Sequence, residues 1–517
     1  MRSDFYDVII VGGGVAASVA AYNLSFSKLR IACFEQGDFE KNSSNYKKKK
    51  LSFLNYRKLN INPNIRKSKY DYMINDKASD ISIANYNGVG GSSVLYSAHL
   101  PRFLPDDFQN KSINGINSRW PLSYNTLKKF YSINEKILGV AGLTGDSSYP
   151  DKINNLMPPV EFGPAVCKIA YAFRKLGWHW WPSYSGVITK KIDTRKKGEI
   201  TEPNNSYWPA AVKNKIRLFT KSKVLKILSE KNKAIGIQYL DEKKNIKEKY
   251  AKIIVVACSG LGTPRLLLNS KNNHHPNGLA NSSGLLGKNL MLHPLGWVEG
   301  KFPKFLKSYS GPQGCSIYSA QFHKNKKFKK GYTIQILREP HPVEHFIMRK
   351  KLKQLNFGKN FFNDFFNYYG KTISAAIICE DFPELKNKII LDHKNLDRDG
   401  MPGVKIFYKV SKNSKKMISD GIKNCKKLML QAGAKKVISF GPVKYTGWHI
   451  MGTAKMGKDK KKSVVDQNGR CHDVKNMFIV DSSIFCSSSS MNPVSTICAL
   501  SLKISNYIKK EFKNVKI

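Results

Sequence analysis

Residues 6–17 read Tyr6-Asp7-Val8-Ile9-Ile10-Val11-Gly12-Gly13-Gly14-Val15-Ala16-Ala17, and this stretch decides the fold class. Its first half is β-branched and almost uncharged, which is typical of a strand buried on both faces in a parallel sheet. Its second half fits the pattern G-x-G-x-x-G/A of a dinucleotide-binding turn. The sequence therefore predicts a strand, a phosphate-binding turn and a helix over about 15–24.

Each small residue of this turn has a predicted part in binding a dinucleotide. Gly12 makes the tight turn, Gly14 admits the pyrophosphate, and Ala17 lets the helix lie close to the strand. A second predicted strand over 29–34 ends at Glu35, roughly the offset at which an acid bonds a ribose hydroxyl. These residues alone leave NAD and FAD both open, and a plain helix–strand turn is the alternative.

Composition bounds the size, the partners and the compartment. The chain has 517 residues, enough for two or more domains, and a net charge of +50. Its cations are 73 lysines and only 14 arginines spread from end to end, whereas readers of phosphate and bases usually rely on the fork of arginine. The charge therefore favours a solvated surface, and we expect no nucleic-acid partner. A membrane or acidic partner is the alternative.

Cysteines and hydropathy indicate a cytoplasmic protein, with peripheral membrane contact as the alternative. The nine cysteines are scattered without a C-x-x-C pair, which argues against a disulfide framework, a zinc site or an iron–sulfur site. We therefore expect no metal. No run approaches 18 uninterrupted apolar residues, and Asp4 and Asp7 stand where a signal peptide has basic residues.

Two basic stretches are ambiguous. Lys47–Lys50 lies in a polar segment, about 42–76, that we interpret as a loop or lid crossing the nucleotide domain. Residues 346–369 are basic and aromatic. They suit an interfacial segment on a membrane or a second subunit, but a buried part of a substrate domain is the favoured interpretation.

A second glycine motif and a second sheet edge follow. Gly90, Gly91, Ser92 and Ser93 offer backbone N–H and hydroxyl groups to a flat, polar ring. Further strands are predicted as a meander over 216–219, 224–227 and 234–239, and as a buried parallel strand over 251–258. The latter runs into a glycine turn and a helix with Pro264 in its first turn. Both turns are expected where ligands of open α/β sheets bind.

The last seventy-odd residues carry three pieces suited to alcohol oxidation. His449 stands in a glycine turn, an apolar strand ends at Asp481, and Asn492 precedes a helix that starts with Pro493. Histidine, with a pKa of roughly 6.5, can take the hydroxyl proton near neutral pH. Asparagine can hydrogen-bond the forming alkoxide without competing as a base. The alternative for His449 is a structural histidine bonded to backbone in its glycine turn. We interpret His472 as a structural residue or as one that supports the site without touching the substrate.

In their order along the chain, these motifs resemble the glucose–methanol–choline (GMC) family of FAD-dependent oxidoreductases. The matching pieces are Gly12–Ala17 with Glu35, Gly88–Ser93, Trp120-Pro121, Ser259–Ser270, Gly278–Gly284, His449–Gly457, Ser463–Asp466, Asp481, and Asn492-Pro493 with Thr496. They cover most of the chain but leave about 297–443 without support. Within the family, the chain looks closest to dehydrogenases of sugars and sugar acids.

The resemblance implies a role for each candidate residue. The implied FAD contacts are Gly12, Gly14 and Glu35 at the ADP part, Val224 at the adenine, Gly90, Gly91, Ser92 and Ser93 along the flavin, Asp481 near the ribityl and pyrophosphate, and Asn492-Pro493 at the pyrimidine edge. His449 matches the active-site histidine of the family, and Asn492 matches its second catalytic position. Tyr96 stands where many members have Asn or His, which argues against a flavin link there. His293 could line the substrate side, but loop packing is the favoured interpretation.

The predicted architecture is a GMC-type α/β fold. An FAD-binding domain of about 1–295 and 445–517 surrounds a mainly parallel sheet, and a substrate domain of about 296–444 has an antiparallel sheet roofed by helices. The predicted reaction oxidises a CH–OH group of a sugar, sugar acid or polyol, with the proton passing to His449 and the hydride to flavin N5. A quinone or carrier protein is favoured over oxygen as electron acceptor. The alternatives are an inactive flavin-fold binding protein and a cationic protein associated with membrane or nucleic acid.

Overall fold

A computed structural model describes residues 5–39, 60–109, 118–311, 314–324, 327–340, 342–355, 358 and 360–514. The strands are β1 Phe5–Val11, β2 Ile31–Phe34, β3 Ile74–Ser79, β4 Trp181–Pro182, β5 Arg217–Phe219, β6 Lys223–Glu230, β7 Lys233–Leu240, β8 Ile246–Val256, β9 Leu295–Lys301, β10 Cys315–Ser319, β11 Tyr332–Leu337, β12 Thr372–Cys379, β13 Lys388–Leu396, β14 Pro402–Tyr408, β15 Lys436–Phe440 and β16 Met477–Ile479. The α-helices are α1 Val15–Leu24, α2 Pro63–Arg66, α3 Tyr124–Leu138, α4 Pro164–Lys175, α5 Tyr207–Lys213, α6 Ser259–Asn269, α7 Pro342–Lys351, α8 Phe361–Tyr368, α9 Lys412–Gln431 and α10 Val494–Asn514. Short 3-10 helices cover Gly91–Leu95, Pro105–Phe108, Pro203–Asn205 and Ser482–Ile484.

A seven-stranded, mainly parallel sheet carries the predicted dinucleotide turn. Its order is β5-β2-β1-β8-β7-β6, and β16 also pairs with β8. The four neighbouring strands β5, β2, β1 and β8 are parallel to one another. In contrast, β6, β7 and β8 form an antiparallel meander. β8 is long enough to pair with β7 along its first half and with β16 along its last three residues. The mainly parallel sheet is therefore confirmed.

One predicted strand takes a different place in this sheet. The segment predicted as the first strand of the meander is β5, which instead pairs in parallel with β2 at the far edge. The ring of Phe219 stacks on Phe34 with 4.7 Å between ring centroids. Burial of these two rings against each other favours the edge position over pairing with the neighbouring β6.

The second half contains the predicted antiparallel sheet. Its order is β15-β9-β12-β11-β10-β4, and α9 packs on one face. Within α9, Gly421 allows a close approach, since a Cβ atom there would stand 2.5 Å from Ile377 on β12. Met417 and Leu428, on the buried face of the same helix, are fully buried. The antiparallel sheet roofed by a helix is confirmed.

The two halves exchange segments across the predicted domain boundaries. β4 and α4 precede residue 295 yet join the antiparallel sheet and its core. Conversely, β13 and β14 form a third sheet with β3, in which β14 pairs in parallel with β3. The division at 295/296 and 444/445 stays a prediction.

Pro264 lies in the second turn of α6, not in its first turn as predicted, because the helix already begins at Ser259. A proline there lacks the N–H that would bond the carbonyl oxygen of Gly260. Thr453 supplies the missing donor, since its Oγ1 donates to that oxygen at 2.8 Å. A side chain from a distant loop therefore allows the helix to start earlier than its sequence suggests.

The remaining expectations concern segments and surface. Lys47–Lys50 lies outside the described residues. The aromatic stretch 346–369 is neither wholly buried nor wholly exposed, since Arg349 is fully buried while Phe362 and Phe366 are 69% and 58% exposed. All nine cysteines are free. Within the described ranges, every helix is too short or too polar to cross a membrane.

Gly12→Ala tests the close approach at the carboxyl end of β1. Gly12 has a φ of +104°, and a Cβ atom there would stand 2.4 Å from the carbonyl oxygen of Ala257. We expect the free energy of unfolding to fall by about 2 kcal/mol or more. Gly14→Ala is the matched control, because its Cβ would meet nothing closer than 3.8 Å, and its loss should stay within ~1 kcal/mol. Chemical denaturation measures both, and equal losses would contradict this account.

Candidate active site

A cavity of about 940 Å³ lies between the two sheets and is lined by both halves of the chain. Its volume is near the upper end of the ~300–1,000 Å³ typical of small-molecule sites. The predicted site residues in its wall are Gly12, Gly14, Glu35, Gly90, Gly91, Ser92, Ser93, Val224, His449, Asp481, Asn492 and Pro493. Ala17 is the exception, because it is fully buried within α1.

The two glycine motifs touch each other at one end of this cavity. The backbone N–H of Gly90 donates to the carbonyl oxygen of Gly13 at 2.8 Å, and Gly14 forms a parallel bridge with Gly90. A Cβ atom on Gly91 would stand 2.9 Å from the Cα of Gly14. The predicted phosphate turn and the predicted flavin turn therefore share one wall, and at position 91 only glycine permits this contact.

Glu35 and the start of α1 shape the polar end of the cavity. The Glu35 carboxylate accepts backbone N–H groups from Gly13 at 2.6 Å and Gly37 at 2.8 Å. Burial raises the pKa of Glu35. Each oxygen keeps a lone pair for a ribose hydroxyl. Gly14 caps α1 without a side-chain hydrogen bond, so the first N–H groups of the helix are free to bind a phosphate.

Asp481 anchors the wall between the two glycine motifs and the C-terminal segment. It accepts hydrogen bonds from Ser259 N at 3.1 Å, Thr263 Oγ1 at 2.6 Å and Ser483 N at 2.8 Å. Burial raises the pKa of Asp481. Tyr96 also lines the cavity, but its hydroxyl already donates to the carbonyl oxygen of Thr201 at 2.7 Å.

The backbone around His449 is fixed on both sides by glycines pressed against other segments. A Cβ atom on Gly447 would stand 2.5 Å from Ser82 O, and one on Gly452 would stand 2.4 Å from Asn289 O. Between these two contacts the chain has little freedom to shift. The glycine turn predicted around His449 therefore holds the backbone in place, and the side chain of His449 points into the cavity.

His293 lies directly beside His449 because of strand register. Met291 and Met451 exchange two backbone hydrogen bonds, at 2.9 and 3.0 Å, in an antiparallel bridge. Two residues further along each segment, this register brings His293 opposite His449. Their Nδ1 atoms are 2.8 Å apart. His293 is therefore a direct neighbour of the predicted base rather than a residue of loop packing alone, and it leaves Nε2 of His449 available to a ligand.

The side-chain amide oxygen of Asn492 is bound by two side chains that the sequence did not single out. Gln335 Nε2 donates to Asn492 Oδ1 at 2.8 Å, and His99 Nδ1 lies 2.9 Å from the same oxygen. Both partners line the cavity. Because the oxygen is engaged twice, the amide orientation is set and its NH₂ group is left to donate to a ligand. The role predicted for Asn492 needs this orientation.

Burial keeps these histidines neutral. It lowers the pKa of His99 to about 4 and that of His293 to about 3. Burial also lowers the pKa of His449 well below its ordinary value, and His293 and His99 act in the same direction. A lowered pKa in the folded state means that the unfolded chain binds more protons below pH 6.5. Stability should therefore be lost as the pH falls from about 6.5 toward these values.

Sequence signals for the missed residues were weak but present. Gln335 is a long polar residue among the isoleucines of β11, which is a signal of an inward-facing polar group. His99 follows the second glycine motif within the same loop. His472 does lie elsewhere: its Nε2 is 2.9 Å from Ser463 Oγ, and it is not part of the cavity wall.

A second buried cluster comprises Asp107, His323 and Glu380. The two nitrogens of His323 lie 3.6 Å from Asp107 Oδ1 and 3.7 Å from Glu380 Oε1. Three such groups could hold a metal ion, but Lys330 Nζ stands 3.1 Å from Glu380 Oε2 and already supplies a positive charge. Burial raises the pKa of Asp107 to about 6. His323 Nδ1 also meets Ser490 Oγ at 2.9 Å, so the cluster braces the turn at Ser490.

A dinucleotide turn, a histidine and an asparagine line one cavity, an arrangement suited to an oxidoreductase that binds a dinucleotide cofactor. The chain belongs to the GMC oxidoreductase family. A family model of that description matches residues 6–295, and a second one matches residues 383–501. The protein is therefore an oxidoreductase that acts on alcohol groups, and its cofactor is FAD.

Proteins similar along their full length include two characterised dehydrogenases. The chain is 30% identical to 2-methyl-1,2-propanediol dehydrogenase of Mycolicibacterium austroafricanum, across 99% of this chain and 97% of that protein. It is 24% identical to the fructose dehydrogenase large subunit of Gluconobacter japonicus, across 98% of both. The crystal structure of pyridoxine 4-oxidase from Mesorbium loti has a similar fold, with a TM-score of 0.68 and 16% identity over 98% of this chain and 99% of that one.

The residues of the cavity fit FAD. The contact between Gly91 and Gly14 leaves room for a flat group where side chains would fill the space. Glu35 offers acceptor oxygens to a ribose, and the uncapped start of α1 offers donors to a pyrophosphate. The contacts of individual residues with the cofactor stay predictions.

Gln335→Leu tests whether the fixed amide of Asn492 matters. One of its two partners is lost, so the amide can rotate and present its oxygen to the substrate. We expect kcat/KM for alcohol oxidation to fall roughly 10-fold, the value of one hydrogen bond of about 1–1.5 kcal/mol. Gln238→Leu is the control, because it removes a hydrogen bond to Glu248 on the other sheet. Equal activity in the two variants would show that the amide needs no support from Gln335.

Proposed function

We propose that this protein oxidises the CH–OH group of an alcohol of the sugar, sugar-acid or polyol type, with His449 as the base. The carrying observation is the pairing of His449 Nδ1 with His293 at 2.8 Å. A histidine whose first ring nitrogen is engaged presents the second to the cavity in a defined direction. The names of the two dehydrogenases similar to this chain, which act on a diol and on fructose, support a polyhydroxylated substrate.

The proton of the substrate hydroxyl passes to Nε2 of His449. For this, Nδ1 of His449 carries its hydrogen and donates it to Nδ1 of His293, so Nε2 is the accepting nitrogen. The neutral state that burial imposes keeps Nε2 unprotonated before the reaction. His293 then contacts the positive ring that forms, through the hydrogen bond that already exists.

The developing negative charge on the substrate oxygen lies against the NH₂ group of Asn492. That amide is oriented before the substrate arrives, because Gln335 and His99 hold its oxygen. A donor that needs no reorganisation stabilises charge more effectively than one that must turn. Bound FAD supplies the hydride acceptor. A dehydrogenase that passes electrons to a quinone or carrier protein is the favoured form of this proposal.

His449→Ala should slow anaerobic bleaching of the flavin by alcohols at least 100-fold, since general base catalysis contributes roughly 10²–10⁴-fold. His472→Ala is the matched control, a histidine bonded to Ser463 outside the cavity. It should bleach at the wild-type rate. A panel of diols, sugars and sugar acids under stopped flow measures both.

The bleaching experiment also separates the alternatives. If no alcohol bleaches the wild-type flavin, alcohol oxidation is the wrong function, and the result favours an inactive flavin-fold binding protein. The other alternative predicts purified protein without a flavin spectrum that binds anionic vesicles or nucleic acid. That binding should depend steeply on salt and should persist in His449→Ala, and this result would favour a cationic binding protein.

The acid limb of kcat/KM against pH should lie below pH 6.5. A lowered pKa means that the neutral, proton-accepting ring of His449 persists as the pH falls. His293→Gln keeps an acceptor for Nδ1 but removes one cause of the lowered pKa, so the limb should move to higher pH. Steady-state rates from pH 4 to 8 measure both positions. A wild-type limb above pH 6.5 that His293→Gln leaves in place would refute the assignment.

A further inference from the structure

Nearly all the charged side chains in the cavity wall are hydrogen-bonded or ion-paired within the protein. Glu35 and Asp481 accept N–H and O–H groups, Lys223 and Arg265 pair with Asp397, and Glu339 accepts hydrogen bonds from Gly370, Ser308 and Thr372. Within the described part of the chain, Arg338 and the exposed Glu344 are the lining charges that lack an ion pair. A charged side chain without an ion pair in a substrate cavity is a candidate for binding a substrate of opposite charge.

Arg338 is held in a way that leaves its charge to the cavity. Among the described residues, its guanidinium has one hydrogen-bond partner: Nη1 donates to the carbonyl oxygen of Gly311 at 3.3 Å. Burial lowers the pKa of Arg338, and the nearby Tyr369 and Glu344 offset this effect only in part. An anionic ligand would remove this penalty and would match the five donors of the guanidinium, which suit a carboxylate in a two-point contact.

The position of Arg338 relates it to the reacting end of the substrate. It directly follows β11, the strand whose Gln335 holds the amide of Asn492. Three residues of extended chain span roughly 10 Å, so the hydroxyl and the anionic group of one small molecule can reach both places. Leu337 lies between them along the chain, and Ala376 and Trp297 are level with Gln335 in the sheet. All three line the cavity and suit an apolar linker better than a row of hydroxyls.

We propose that Arg338 selects alcohols that carry a carboxylate several bonds from the oxidised carbon, so that the preferred substrates are hydroxy acids. This deepens the proposed function and rests on it. The net charge of +50 acts in the same direction, because a cationic surface raises the local concentration of anionic substrates. Sugar acids remain compatible with the wall, whereas neutral sugars gain nothing from Arg338.

The test compares para-hydroxymethylbenzoate with the neutral para-methylbenzyl alcohol in the flavin-loaded enzyme. We expect KM for the acid to be lower by roughly 10- to 100-fold, the worth of a charge-assisted hydrogen bond. Arg338→Met should abolish that preference and leave the neutral alcohol within about 3-fold of wild type. Arg338→Lys keeps the charge and should retain part of the preference. Arg174→Met is the matched control, because Arg174 is an exposed arginine of α4 outside the cavity wall, and it should retain all of the preference.

Binding of para-methylbenzoate, which has no oxidisable hydroxyl, gives a readout that is independent of turnover. Calorimetric titration should show binding to wild type and loss of binding in Arg338→Met. Equal KM values for acid and neutral alcohol in wild type, or equal losses for both in Arg338→Met, would overturn the proposal. If neither alcohol is oxidised while para-methylbenzoate binds only when Arg338 is present, the proposed function fails and the anionic site stands.

Discussion

The structure depends on a few places where backbone meets backbone without side chains between. Gly12 lies against the carbonyl group of Ala257, which joins the first parallel strand to β8, and Gly91 lies against Gly14. Because atoms cannot overlap, every other element must adjust to these contacts. They fix where the floor of the cavity lies, and the parallel strands bring their carboxyl ends to the same level.

The wall above this floor is built from polar groups that are satisfied before any ligand binds. The amide oxygen of Asn492 is engaged twice, and Nδ1 of His449 once. In a buried site such groups keep their direction, since breaking an internal hydrogen bond costs more than it does in water. Three groups remain to bind a ligand: Nε2 of His449, the NH₂ group of Asn492 and the guanidinium of Arg338. These groups define the chemistry that the cavity can support.

The sequence predicted the dinucleotide half well and the substrate half poorly, for a physical reason. Around Gly12, the alternation of strand, glycine turn and helix is a local pattern that a short window contains. Gln335 lies on β11 and Arg338 directly follows it, and the apolar residues of that strand show neither which face points inward nor which loop lies opposite. The pairing of His293 with His449 follows from a register between segments more than 150 residues apart. Pro264 failed as a helix-start signal because Thr453, 193 residues beyond Gly260, supplies the missing donor.

The closing helix has a consequence for how the molecule assembles. Asn23 Nδ2 of α1 donates to Ser505 Oγ of α10 at 2.8 Å, across 482 residues of chain. β16 likewise joins β8 across more than 200 residues. Contacts of such long sequence separation form late, since loop closure must precede them. The candidate base, the alkoxide donor and Asp481 all belong to this last segment. During synthesis the candidate base and the alkoxide donor are therefore added after the dinucleotide turn, and the proposed reaction centre needs the C-terminal segment to dock against the first sheet.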